Sequence, residues 1–299
     1  MRTFRGAIEP FAEPAAHRLY AIIMDTTMTT ATRRLVGLLS ATPLVVAAHL
    51  AYAGDLHPAV AEASLRAQNA ARAAREAFVE AQRAEKLALA AAKEGRLSAM
   101  KARAVKPDAR QVLDNKADGR YDGQVRERRR EGYGVLTLVG GQRYEGQFND
   151  DDTNGHGVYY LTDGRQYQGQ FVHAQAEGYG VFFLTQRQSY TGEFHADKAN
   201  GHGVYAMPDR QSFGGQFRDD QANGVGIFML AGGERYEGEV KDNRREGFGV
   251  FTARDGSVYE GQFANNDPNG FGVRRAPGTP TEQGRWADGK LVERLTPAI

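Results

Sequence analysis

The sequence contains no cysteine in its 299 residues. It therefore has no disulfide framework, no thiolate zinc site and no thiol nucleophile. We also find no phosphate-binding loop, nucleophile elbow or paired-carboxylate motif. These absences argue against an enzyme, and we expect neither a cofactor nor a metal ion.

A strong net charge is also missing, because 38 Lys and Arg face 37 Asp and Glu. The balance is uneven along the chain. Residues 54–120 hold 13 basic and 9 acidic residues, whereas residues 121–299 hold 20 basic and 25 acidic ones. An acidic surface disfavours nucleic acid and anionic lipid as partners. The basic run at 126–130 is interpreted as a solvated turn, with a lipid or nucleic-acid contact as the alternative.

What the sequence does contain is a 23-residue repeat without insertions or deletions. Each copy opens with an aromatic residue and has a Gly-x-Gly eleven residues later. The opening residues are Tyr121, Tyr144, Tyr167, Tyr190, Phe213, Tyr236 and Tyr259. A fixed period of this length predicts an array in which each unit packs mainly on its neighbours.

Within one repeat the pattern predicts a β-hairpin. Tyr144, Gly146 and Phe148 alternate with polar residues, a turn rich in Asp and Asn follows, and a second strand starts at Gly155. We expect roughly 14 strands in a twisted ribbon about 65 Å long. The predicted repeat core consists of Tyr121, Gly123, Tyr144, Gly146, Phe148, Tyr167, Gly169, Phe171, Tyr190, Gly192, Phe194, Phe213, Gly215, Phe217, Tyr236, Gly238, Tyr259, Gly261, Phe263 and Trp286.

Segments such as YEGQFNDDDTNGHGVY resemble the membrane occupation and recognition nexus (MORN) repeat. The resemblance covers about 121–277 and implies a mainly β, single-layer ribbon of seven hairpins. Its implied roles are protein interaction, scaffolding and, in some members, association with membrane lipid. We interpret the segment from Glu282 as a half-repeat cap with one final strand, in which Trp286 takes the position of Phe263.

The first 53 residues have the pattern of an export signal. Arg33 and Arg34 precede an apolar stretch at 35–53 that ends in Ala-Tyr-Ala. Because this signal lies far from Met1, we expect residues 1–27 to come from a mis-called start, with translation from Met24 or Met28. The signal therefore predicts that the protein is exported to the periplasm or cell envelope. The alternatives are an inner-membrane anchor formed by 35–53 and a buried helix.

Residues 54–110 predict a long helix, because Ala, Arg, Glu, Lys and Leu dominate until Pro107. Alanines recur in steps of three and four, which is a heptad seam. Three arrangements remain open: a self-associating coiled coil, a helix docked along the ribbon, and a solvated single helix. The seam consists of Ala67, Ala70, Ala74, Ala77, Ala81, Ala84, Ala88 and Ala91.

The middle residue of each Gly-x-Gly gives a candidate partner stripe, because it points away from the aromatic core. The alternative is that the helix covers the stripe. Since this position is mostly apolar, its histidines are interpreted as packing residues, and the Asp150 to Asp152 run as a plain turn. The stripe consists of Tyr133, His156, Tyr179, His202, Phe248 and Phe271.

These features favour a non-catalytic protein–protein interaction scaffold of the cell envelope. The alternative is a peripheral lipid-binding module or a membrane-tethered adaptor. Protein partners are expected, with self-association through the helix as one form. Nucleic acid is not expected, and lipid is disfavoured.

Overall fold

The computed structural model describes residues 56–115 and 119–297, which form one long helix and one long antiparallel sheet. The predicted start, signal and anchor all fall on residues 1–53, outside the described residues. Helix α1, Pro58–Arg103, starts with a proline in its first turn, where the missing N–H costs nothing. Short 3-10 turns lie at Pro107–Ala109, Pro208–Arg210 and Ala231–Gly233.

The sheet is a meander in which each strand pairs with its neighbours in sequence. The fold class is confirmed, although the described residues hold 17 strands rather than the 14 estimated from seven hairpins. The strands are β1 (Gln111–Asn115), β2 (Gly119–Arg126), β3 (Arg129–Leu138), β4 (Arg143–Asn149), β5 (Asp152–Tyr160), β6 (Gln166–Val172), β7 (Gln175–Phe183), β8 (Ser189–His195), β9 (Lys198–Ala206), β10 (Ser212–Arg218), β11 (Gln221–Met229), β12 (Arg235–Lys241), β13 (Arg244–Thr252), β14 (Val258–Ala264), β15 (Asp267–Arg275), β16 (Glu282–Ala287) and β17 (Lys290–Arg294).

Both ends of the array differ from the prediction. Strand β1 precedes the first repeat and pairs with β2, placing Leu113 opposite Tyr121. At the other end the cap is a complete short hairpin, because β17 follows β16. The Trp286 ring meets Tyr259 edge-on, with centroids 5.2 Å apart, and its Nε1 donates to the Gly272 carbonyl at 3.1 Å. Trp286 thus packs on the last repeat as Phe263 packs on the one before.

Each hairpin is closed by a two-residue turn, and hydrogen bonds from that turn link the hairpin to the preceding one. Asp150 and Asp151 both have positive φ, 49° and 68°, which is the conformation of a type I′ turn. The Asp151 N–H donates to the Arg130 carbonyl at 3.1 Å, and the Asp151 carboxylate accepts from the Arg130 N–H at 2.8 Å. Asp197, Asp220, Asn243 and Asn266 repeat this exchange with the preceding hairpin.

The aromatic residues form one continuous column on the face opposite α1. Tyr144 meets Phe148 and Phe171 edge-to-face at centroid distances of 5.2 and 5.0 Å, and the same contacts recur along the array. Such pairs add about 0.5–1.5 kcal/mol each beyond their buried area. All seven opening aromatics are buried. The column therefore serves as the core of a sheet on which no second sheet packs within 56–115 and 119–297.

The two glycines of each Gly-x-Gly have different roles. The first, Gly155 in the second repeat, has a φ of +89°, where residues other than glycine are strained. The second, Gly157, lies beneath the Tyr144 ring, and an added Cβ would come within 2.5 Å of that ring. The first glycine turns the backbone at a bulge, and the second makes room for the aromatic column.

Candidate functional site

The face of the ribbon opposite the aromatic column carries α1. The helix contacts every strand from β3 to β15 and runs against the order of the repeats, with its first turn at the last repeat. The His57 N–H, which precedes the helix, donates to the Gln283 side chain at 2.8 Å. Arg103, at the other end, lies 3.5 Å from Glu145 in the second repeat. Of the three arrangements left open by the sequence, the structure has the docked one.

The predicted alanine seam is the surface of α1 that meets the ribbon. All eight seam alanines are buried, with exposed fractions of 0–8%. At Gly95 the helix backbone lies close to the sheet, because an added Cβ would lie 2.6 Å from the Gly157 carbonyl oxygen. Small residues thus bring helix backbone onto sheet backbone. The seam, for which self-association was one of three open arrangements, is occupied by the chain's own sheet.

Helix and ribbon share a common spacing. One hairpin advances the sheet by about 9.6 Å, and seven helical residues advance α1 by about 10.5 Å, so one heptad of the helix spans one repeat. Seven buried positions follow this spacing along the helix. They are Val60, Ala67, Ala74, Ala81, Ala88, Gly95 and Ala102.

Polar contacts fix this register at the second residue of the repeats. Arg103 faces Glu145 at 3.5 Å, and seven residues earlier Arg96 donates to Gln168, 23 residues later, at 2.6 Å. Three heptads before Arg96, Arg75 pairs with Glu237, which lies three repeats after Gln168. One heptad and one repeat further on, Gln68 donates to Glu260 at 3.2 Å. Arg110, beyond the helix, continues the series with Asp122.

The carboxylates at these positions are buried on the ribbon. Glu145 has a side chain 2% exposed and lies 3.1 Å from Arg143 as well as near Arg103. Glu260, also 2% exposed, faces Arg275 at 3.2 Å. Burying a carboxylate is costly unless it is well paired and hydrogen-bonded, so a helix register that removes Arg103 from Glu145 or Gln68 from Glu260 is disfavoured even though one ribbon arginine remains at each carboxylate.

We predicted no functional role for the second residue of the repeats, although the sequence contains a signal for one. Gln68, Arg75, Arg96, Arg103 and Arg110 all fall on one seven-residue spacing. Their partners fall on one 23-residue spacing. Only the docked geometry relates the two periods.

The predicted partner stripe lies on the same face, along one flank of α1. Five of its residues are half-buried and Phe271 is 36% exposed. The helix therefore borders the stripe without covering it, and the role of the stripe as a partner site stays a prediction. The Lys101 ammonium lies 5.2 Å from the Tyr133 ring centroid, and the Arg66 guanidinium 5.4 Å from that of Phe248.

The outward Gln and Glu side chains support the stripe from the first strand of each hairpin. The Gln147 Oε1 accepts from the His156 N–H at 2.6 Å, and the Glu193 carboxylate accepts from the His202 N–H at 3.0 Å. The β-bulge leaves these N–H groups without a partner in their own hairpin. The side chains of Gln124, Gln170, Gln216, Glu239 and Gln262 do the same for Tyr133, Tyr179, Val225, Phe248 and Phe271.

At the second and third repeats, an open cavity of about 370 Å³ lies between α1 and the ribbon. Leu87, Lys93 and Glu94 line it from the helix. His156 and Tyr179 line it from strands β5 and β7. A smaller cavity of about 230 Å³ lies near Arg103, Arg110 and Arg120 at the end of the helix, where Asp122 and Glu145 already pair with two of these cations.

The histidines of the stripe and the aspartates of the turn make contacts with neighbouring side chains. His202 lies 3.6 Å from Glu193, and His156 lines the cavity. Asp150 pairs with Arg129, and Asp152 lies 3.4 Å from His173. Within 56–115 and 119–297, no group of three or more histidines and carboxylates is placed to hold a metal ion.

Comparison with known families agrees with this architecture. The model of the MORN repeat matches residues 121–143, 144–164, 167–184, 190–212, 215–235, 236–258 and 259–278. No curated protein matches the chain in sequence. In the described part of the chain, no helix combines the length and the apolar composition that a membrane span requires. The seven matches fall on the seven hairpins from β2 to β15, and this chain is a protein of seven MORN repeats.

Proposed function

We propose that this protein is a non-catalytic scaffold that binds a protein partner along the stripe beside α1. The observation that carries the proposal is the repetition of partly exposed rings at one repeat position. Tyr133, Tyr179 and Phe248 lie on one line, and the bulge side chains hold each of their backbones in place. Aromatic side chains are enriched in protein interfaces.

The length of the ribbon supports a scaffolding role. Because each repeat presents the same stripe position about 9.6 Å from the next, an extended partner meets several equivalent positions in succession. The MORN repeat is a non-enzymatic repeat type, consistent with a role in binding.

Photo-crosslinking tests this proposal. A benzoylphenylalanine residue replaces Tyr179 or Phe271 in the full chain, expressed in its own host, and the adducts are identified by mass spectrometry. The matched control carries the same residue at Asp163, in the exposed loop between β5 and β6. We expect the same discrete adduct from both stripe positions and none from the control. Equal adducts from the control, or none from the stripe, would contradict the proposal.

We further propose that the protein acts outside the cytoplasm. The support is the signal pattern at 28–53, with Arg33 and Arg34 before the apolar stretch and Ala51 and Ala53 at its end. Cell fractionation followed by mass spectrometry of the N-terminus tests this proposal. A periplasmic product that starts at Gly54 is expected. A chain retained intact in the membrane would instead identify 35–53 as an anchor.

A further inference from the structure

The stripe already binds cations at two of its rings. The Lys101 ammonium lies 5.2 Å from the Tyr133 ring centroid and donates to the Tyr133 hydroxyl at 3.3 Å, and the Arg66 guanidinium lies over the Phe248 ring. Lys101 and Arg66 are 35 residues apart in the sequence, which is five heptads. Tyr133 and Phe248 are 115 residues apart, which is five repeats. The same helix position therefore faces the stripe in every repeat, and α1 itself supplies a cation at two of them.

In the third repeat this helix position carries Leu87, which lines the cavity together with Tyr179. In the second repeat it carries Glu94, which lines the cavity together with His156. The Tyr179 ring is thus an aromatic member of the stripe to which α1 brings an apolar side chain instead of a cation. A carboxylate lies one heptad away in the same cavity.

We propose that this cavity binds an arginine or lysine side chain from a basic segment of a protein partner. The inference rests on the proposed function and names the chemistry that the stripe recognises. The Tyr179 ring offers a face to the cation, Glu94 offers the opposite charge, and Leu87 contacts the aliphatic stem. The two cations that α1 places against Tyr133 and Phe248 favour a cationic ligand at the equivalent residue Tyr179.

Lys93 also lines the cavity and gives the proposal a test of sign. Its ammonium repels a cationic ligand and attracts an anionic one. Removing this charge therefore strengthens the binding of a cation and weakens the binding of an anion. The direction of the change separates the two classes of ligand.

The test uses the full chain and a short glycine-flanked peptide with one central arginine. The comparison peptide carries citrulline, which has nearly the same shape but no charge. Binding is followed by NMR through the side-chain resonances of Tyr179 and His156. We expect the arginine peptide to shift both resonances and the citrulline peptide to shift neither. Glu94→Gln should weaken the binding about tenfold, Tyr179→Leu should remove it, and Lys93→Ala should strengthen it.

Glu76→Gln, which removes an exposed carboxylate elsewhere on α1, is the control and should leave the affinity unchanged. Equal binding of the citrulline peptide, an unchanged affinity in Glu94→Gln, or weaker binding in Lys93→Ala would overturn the proposal. If these results occur while the crosslinks from Tyr179 and Phe271 persist, the scaffold function stands and only the cation pocket is wrong. If the crosslinks are absent while the arginine peptide still binds, the cation pocket stands and the scaffold function is wrong.

Discussion

Phe78 of the helix packs directly on Gly214 of the fifth repeat. A Cβ added to Gly214 would lie 2.5 Å from the Phe78 ring, and the ring is buried with an exposed fraction of 5%. The corresponding position in the other six repeats always carries a polar residue: Asp122, Glu145, Gln168, Thr191, Glu237 or Glu260. The largest side chain on the docked face of α1 thus lies opposite the one repeat whose second residue is glycine.

This size match predicts a strong coupling between the two positions. Phe78→Ala should lower the free energy of unfolding by about 3 kcal/mol because it leaves a cavity. Gly214→Ala should also destabilise the protein in the presence of Phe78, but much less in Phe78→Ala, where the added methyl group has room. Urea denaturation of the two single variants and the double variant measures the coupling. Additive effects would show that the ring does not limit this position.

The shared spacing of helix and ribbon predicts which deletions the fold tolerates. Removing 190–212 deletes one repeat, and removing 83–89 deletes one heptad. The double deletion keeps Arg75 opposite Glu237 and Arg96 opposite Gln168. We expect it to fold with α1 docked, whereas either single deletion should misplace one end of the helix. Protease resistance of α1 distinguishes these outcomes, and equal resistance in all three variants would refute the shared register.

The bulge side chains predict a difference between two substitutions of one residue. Gln147→Ala leaves the His156 N–H without its acceptor, which should cost about 1 kcal/mol at this half-buried site. Gln147→Glu should be close to neutral, because Glu193 and Glu239 already accept the equivalent bonds. Thermal denaturation compares the two variants. Equal losses in both would mean that the hydrogen bond is unimportant.

The turn residue Asp220 predicts a pH dependence of stability. Burial raises the pKa of its carboxyl to about 6, compared with about 3.9 in an unfolded chain. Because the folded state holds this proton more tightly, the contribution of Asp220 is most favourable below about pH 4. It is lost as the pH rises through 6.

Asp220→Asn should therefore raise the melting temperature above pH 6, with a benefit that shrinks toward pH 4. The amide keeps an acceptor for the Ala199 N–H, as Asn243 does for Ala222 in the next repeat. The exposed neighbour Asp219, which pairs with Lys198, provides Asp219→Asn as the control without this benefit. A benefit that is the same at pH 4 and pH 8 would contradict the role of the buried carboxyl.

The array was predictable because its signals are local and repeated. The alternation from Tyr144 to Phe148 and the turn after it fix each hairpin within 23 residues. The ends were less predictable, since β1 and β17 have no copy elsewhere in the chain. The docking of the helix on the sheet could not be predicted from local signals of this kind. An alanine seam fits another helix and a glycine-rich sheet equally well, and the contacts that distinguish them, such as Arg103 with Glu145 and Gly95 beside Gly157, are visible only in the structure.

The helix runs from the last repeat back to the first, and this direction affects how the protein unfolds. In a simple repeat array each unit contacts only its neighbours, so the ends fray independently of the centre. Here His57 bonds to Gln283 and Arg103 faces Glu145, so one rigid segment connects repeats that are distant in sequence. Melting one terminal unit removes docking area from a segment on which the other units also depend. The ribbon should therefore lose its structure as one cooperative body, and its resistance to proteolysis should reflect the whole array.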